Sequence, residues 1–175
     1  MIKKLLVFSL FWFLFGCSKP VEHHSLELDM DVVIQKTDSI NIYYSNSNSI
    51  DFNDVQSYWI PIKGSKKNQK ICFVFPDSIQ PKQLRIDFGR NRKQPEIIIN
   101  EICLSYHKKS FCAKGEEVYY LFRIDDSNTT IDKLFGSLKR KQPNQIVGPS
   151  IYPKGDKLFK RLNKFLPISK NAPPV

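Results

Sequence analysis

Residues 26–34 read LELDMDVVI. Leu26, Leu28, Met30, Val32 and Ile34 alternate with Glu27, Asp29, Asp31 and Val33, a period of two that puts one apolar row on one face of a strand. Such a segment reads as a half-buried strand of an antiparallel sheet, with Asp29 and Asp31 pointing outward as part of an acidic edge. The same rhythm recurs down the chain. Ile40, Ile42 and Tyr44 form one row; Tyr58, Ile60 and Ile62 form another, and Pro61 marks that strand as an edge or a strand end. Ile71 to Phe75 is apolar on both faces, which predicts a central strand with Cys72 in the core. Leu84, Ile86 and Phe88 alternate with Arg85 and Asp87, residues 97–106 are long and isoleucine-rich, and Val118 to Phe122 reads as a further strand. Polar loops such as SNSNS (45–49) and KGSKKNQK (63–70) separate these rows. No helical periodicity of 11–18 residues appears before residue 125. The expectation is an all-β protein, an antiparallel β-sandwich of jelly-roll-like form over residues 26–153, followed by a short basic C-terminal helix or tail over 154–175.

The chain has 175 residues, 41% of them hydrophobic, enough to build one core. Seven glycines leave little material for a glycine-rich phosphate loop. The net charge is +10, and its distribution is uneven. Residues 17–132 hold 15 Lys or Arg against 16 Asp or Glu, whereas residues 133–175 hold 10 against a single Asp. The body is neutral and the C-terminal quarter cationic.

The first residues, MIKKLLVFSLFWFLFGC, carry two lysines, an apolar run from Leu5 to Phe15, and Gly16 directly before Cys17. The run is too short to span a bilayer of roughly 30 Å as a permanent helix and fits the apolar region of a signal peptide. Leu14-Phe15-Gly16-Cys17 resembles the lipobox of bacterial lipoproteins, with Phe15 bulkier than the residue usual at its place. That resemblance implies a leader of residues 1–16, cleavage before Cys17, and acylation of Cys17 as the anchor to a lipid bilayer, with residues 17–25 as a tether. Ser18, rather than Asp, after the cysteine implies outer-membrane sorting, facing the periplasm, in a Gram-negative envelope. Such a compartment excludes nucleic acid as a partner.

Setting Cys17 aside leaves Cys72, Cys103 and Cys112, an odd number. In ICLSYHKKSFC (102–112), a two-residue turn at His107-Lys108 pairs Tyr106 with Lys109 and Ser105 with Ser110, and the register then sets Cys103 opposite Cys112. A cross-strand disulfide is geometrically possible there; two free thiols acting as small hydrophobes are the alternative. No pair of histidines accompanies these cysteines, so no metal or other cofactor is expected. His23, His24 and His107 fall in no recognisable triad, and no catalytic residue is assigned.

Tyr43, Trp59, Arg85 and Asp87 each fall on the face opposite the apolar row of their strand. Gathered on one outer surface, aromatic rings and a charged pair suit a sugar, whose C–H face stacks on a ring and whose hydroxyls bond to charged groups. The competing reading packs the rings under a loop and leaves Arg85 and Asp87 as a structural ion pair. In KLFKRLNKFL (157–166), Leu158, Phe159, Leu162, Phe165 and Leu166 fall on one helical face and Lys157, Lys160, Arg161 and Lys164 elsewhere, with Pro167 as the stop. The four basic residues are candidates for contact with an anionic surface; alternatively the apolar face packs on the sandwich and the charges are solvated.

Taken in order, SINIYYSNSNSIDFNDVQSYWIPI, then QLRIDFGRN, then EIIINEICLSY, the chain resembles a small extracytoplasmic β-sandwich domain found with membrane-bound glycosyltransferases of cell-envelope polysaccharide synthesis and with related lipoproteins. The residues that carry the resemblance are Tyr43, Tyr44, Leu84, Arg85, Asp87 and Ile97 to Leu104, within about residues 30–125. No transferase or transmembrane bundle accompanies the domain in this sequence. The resemblance implies a non-catalytic role near polysaccharide or lipopolysaccharide; an accessory subunit or inhibitor that binds an envelope protein is the second class, and a hydrolase the third. Asp38-Ser39-Ile40 and Asp77-Ser78-Ile79 also resemble the three-residue O-glycosylation site of exported proteins of Bacteroidota.

Overall fold

The computed structural model describes residues 25–132 and 135–166. Cys17, the leader, nearly all of the tether and Pro167 lie outside the described residues.

Among the described residues, eleven strands form two antiparallel sheets: β1 (Leu26–Ile34), β2 (Asp38–Ser45), β3 (Ser57–Ile62), β4 (Gln69–Val74), β5 (Gln83–Phe88), β6 (Ile97–Tyr106), β7 (Lys109–Lys114), β8 (Phe122–Ile124), β9 (Thr129–Asp132), β10 (Ser137–Arg140) and β11 (Ser150–Pro153). One sheet runs β4-β1-β6-β10-β9, with β7 also on β6; the other runs β3-β2-β5-β11-β8. The sheets pack face to face as a β-sandwich. Leu28 and Met30 of β1, Ile40 and Ile42 of β2, Leu84 and Ile86 of β5, and Ile102 and Leu104 of β6 fill the space between them, all fully buried.

The long strand β6 cannot hold one alternation along its whole length. Ile97 and Ile99 face inward at odd positions, Ile102 and Leu104 at even ones. The change of parity needs one extra residue, and the register supplies it: Asp31 pairs with Glu101 but Val32 with Ile99, so Asn100 is bulged. The bulge keeps all four side chains in the core and aims Asn100 outward, where its amide donates to Asp31 at 2.9 Å.

Pro61 sits on β3, an edge strand, where its missing N–H is tolerated. Three expectations need correction. β4 is an edge strand rather than a central one. Ile71, Phe73 and Phe75 all point inward, and the rings of Tyr44, Tyr58, Phe73 and Phe75 close the flank between the sheets. A sandwich edge sealed by large rings is as apolar in sequence as a central strand. Cys72, between two inward side chains, accordingly points out and is exposed. Val118–Leu121, expected as a strand, is a short helix, α1, and only at Phe122 does a strand begin. Val118 and Leu121, three residues apart, are buried, and Tyr119 and Tyr120 between them are not, which is helical spacing.

The C-terminal helix α2 (Lys157–Phe165) lays Leu158 and Leu162 into the common core, with Leu166 following. Packing on the sandwich is therefore the arrangement its apolar face adopts, and the basic side is what α2 presents. Among the described residues, no helix is long and apolar enough to cross a membrane.

Candidate functional site

The register brings Tyr43, Trp59, Arg85 and Asp87 onto one outer face. Tyr43 lies opposite Arg85, and Asn41 lies between Trp59 and Asp87 in the same row, buried, with its amide atoms unpartnered. Three of the four are then engaged with one another or with a covering loop. The Arg85 guanidinium is held 4.6 Å from the Tyr43 ring and 4.5 Å from that of Tyr152, and it donates twice to the Asp87 carboxylate, at 2.8 and 2.6 Å. Tyr43 donates to Asp54 at 2.9 Å, and Phe52 packs edge-on against Tyr43 and Tyr152. Tyr43 is 8% exposed. Burial, and next the hydrogen bond to Asp54, push its phenol pKa up. Burial opposes the charge on Arg85, but the hydrogen bond and charge of Asp87 outweigh it, so the guanidinium pKa is raised. This is a filled structural stack. Trp59, at the edge and 46% exposed, is the member left open to solvent, with the Arg90 guanidinium 4.7 Å from its ring.

An open concave site lies elsewhere. A cleft of about 750 Å³ is bounded by Ile98 and Asn100 on the outer face of β6, Glu116 just before α1, Tyr119 of α1, Ile131 of β9, and Phe135. Its walls follow from local sequence. Gly115 (φ +52°) turns the chain out of β7, and the Glu117 carboxylate accepts the Lys114 backbone N–H at 3.1 Å, starting the turn that becomes α1. Burial of Val118 and Leu121 leaves Tyr119 and Tyr120 on the cleft side. Tyr119 donates to the Gly136 carbonyl at 2.6 Å, which ties α1 to the β9–β10 connection; burial pushes its pKa up to about 12. Phe135 is 70% exposed and Tyr120 57%. Lys157 Nζ sits 3.6 Å from the Tyr120 ring centroid. Tyr120 and Glu116 also border a second cleft of about 520 Å³, whose far side is Phe111 and Arg161. Tyr120 thus stands between two hollows, with Lys157 on its ring.

This arrangement offers exposed aromatic faces beside a carboxylate and an amide, in a volume suited to a small ligand. A pyranose can lay its C–H face on Tyr120 or Phe135 while its hydroxyls reach Glu116 and Asn100. None of these residues was singled out from the sequence. One signal was present: Ile98 is apolar at the outward parity of β6, between two inward isoleucines.

The remaining predicted residues are placed as follows. Cys103 and Cys112 face each other across β6 and β7 and are joined in a disulfide. Glu101 brings a carboxylate within 4.8 Å of their sulfurs, but both sulfurs are bonded to each other, and Glu101 pairs with Lys114 at 3.2 Å. Cys72 lies opposite Asp29, and its hydrogen bond to that carboxylate, with burial second, pushes the thiol pKa from 9.0 up to about 11. On α2, Lys157 rests on Tyr120 and Lys160 pairs with Asp156 at 2.6 Å, while Arg161 and Lys164 are exposed. Ser78 is exposed in a turn, whereas Ser39 is half-buried within β2.

No protein family matches the chain, and no curated protein or solved structure matches it either.

Proposed function

We propose that the chain is a lipid-anchored lipoprotein of the bacterial envelope, held through acylated Cys17 at the outer membrane and facing the periplasm, whose sandwich binds glycan without catalysis. The observation that carries the binding role is the cleft beneath Tyr120 and Phe135, where exposed rings adjoin Glu116 and Asn100. The cationic side of α2, where Arg161 borders the second cleft and Lys164 is exposed on the same helix, supports an anionic saccharide or lipopolysaccharide as the wider target. Contacts of that kind weaken as salt rises.

Binding of the full chain, in a non-ionic detergent, to lipopolysaccharide core saccharides and peptidoglycan fragments tests this by calorimetry. Tyr120→Ala and Phe135→Ala should each weaken binding about tenfold, the loss of one stacking contact, while Trp59→Ala leaves it unchanged. Saccharide binding that survives both cleft substitutions and falls with Trp59→Ala would move the site to the outer face of β3. A second reading, an envelope-protein partner, draws on the exposed apolar side chains of Val55, Phe135 and Ile146. It predicts capture of one envelope protein, undisturbed by excess saccharide.

A further inference from the structure

The basic residues of α2 are not equally available. Lys160 is paired with Asp156 at 2.6 Å, and Lys157 Nζ rests 3.6 Å from the centroid of the Tyr120 ring. Arg161 stands one helical turn beyond Lys157, so it shares that side of the helix. It is exposed, and it lines the second cleft, of about 520 Å³. Among the described residues, Arg161 makes no ion pair.

This cleft is set on fixed supports. Cys112 and Ala113 of β7 form part of its wall, and β7 is tied to β6 by the Cys103–Cys112 disulfide. α1 is held by burial of Val118 and Leu121, α2 by burial of Leu158 and Leu162. Both signs of charge face the hollow. Glu116 and Glu117 line it with Arg161, all three exposed, and neither glutamate pairs with the guanidinium. One oxygen of Glu117 accepts the Lys114 backbone N–H, which leaves the other open. Tyr120 and Glu116 border the first cleft as well, so a glycan seated there is led past the Tyr120 ring into the second. Each cleft has a volume in the range of small-ligand sites, roughly 300–1,000 Å³.

We propose, on the reading that the first cleft holds a saccharide, that the second takes the adjoining sugar and that this sugar is acidic, its carboxylate clamped by Arg161. The planar fork of a guanidinium matches the two oxygens of a carboxylate. Glu116 and Glu117 can only accept hydrogen bonds when ionised, and ring hydroxyls donate them. The same two glutamates select against a phosphorylated sugar. A phosphate monoester brings about −1.5 to −2 charges near neutral pH, a sugar carboxylate one, so the phosphate meets the stronger repulsion.

Calorimetry on the full chain in a non-ionic detergent, at about 0.15 M salt to screen long-range attraction, tests this. The probes are three forms of one lipopolysaccharide core saccharide: intact, dephosphorylated, and with its sugar carboxylates reduced to primary alcohols. The intact and dephosphorylated forms should bind within twofold of each other. The carboxyl-reduced form should bind about five- to tenfold more weakly, the loss of one charge-assisted contact at an exposed site. Arg161→Gln should weaken the intact form by the same factor and leave the carboxyl-reduced form unchanged, because the two changes remove one interaction. Lys67→Gln, the same loss of charge on the exposed β3–β4 loop, should change nothing beyond twofold. Carboxyl reduction without effect, a carboxylate preference that survives Arg161→Gln, or weakening by dephosphorylation instead would overturn the acidic subsite. The saccharide reading of the first cleft then stands if Phe135→Ala, which touches only that cleft, still weakens binding. Binding by none of the three forms would remove both.

Discussion

Arg85 and Trp59, both on the outer face of one sheet, have different jobs. Arg85 is flanked by two rings and bonded twice to Asp87, so its removal strands a mostly buried carboxylate. Arg85→Ala should cost about 2–3 kcal/mol in urea unfolding, less than a fully buried pair because both side chains keep some exposure. Trp59→Ala should stay within about 0.5 kcal/mol, as for an exposed side chain. Cys72 carries a pH signature. Asp29 accepts the thiol hydrogen bond, so the folded state holds the proton more tightly than the unfolded chain. That contribution is complete below the ordinary thiol value of 9.0 and is lost as pH rises through about 11. Near pH 9.0 alkylation of Cys72 should run roughly ten- to a hundredfold slower than in the unfolded chain, and Asp29→Asn should remove most of the difference. At this scale, sequence alternation correctly put Tyr43, Trp59, Arg85 and Asp87 on one face. It left open whether a loop covers these rings, and only the fold shows that Phe52 of the following loop and Tyr152, distant along the chain, fill the space above Tyr43 and Arg85.

Elements differ in how far they can be read before folding. The β6–β7 hairpin is set by a two-residue turn, His107 adopting φ +53° as such turns require, and counting from that turn reproduces the observed register to Cys103 and Cys112. α1 is four residues long, too short for periodicity to announce it; tertiary burial of Val118 and Leu121 decides its form. The sequence reads β4 as central because edge and centre look alike when rings seal the edge. α2 was readable as amphipathic, but only the fold shows that Leu158 and Leu162 are spent in the core. Leu162→Ala should therefore cost about 2–4 kcal/mol, a core cavity, measured by chemical denaturation. Lys164→Ala should leave the unfolding midpoint nearly unmoved. Equal, small effects would mean that α2 is not part of the cooperative unit.

At the level of the whole molecule, the sequence shows a neutral β-rich body and a cationic final quarter, and both survive in the structure as a sandwich with a docked basic helix. The cleft was not legible, because it joins residues from β6, α1, β9 and the β9–β10 connection, elements separated by up to 38 positions and brought together only by the sheet order. Its binding role is the central claim. The most direct measurement is an isoleucine-methyl and indole NMR titration of the full chain with a soluble lipopolysaccharide core saccharide. The account predicts saturable shifts of the Ile98 and Ile131 methyls, which line the cleft, none at the Trp59 indole N–H on the outer face, and loss of the shifts in Tyr120→Ala. Shifts centred on the Trp59 indole, with Ile98 and Ile131 unmoved, would contradict it.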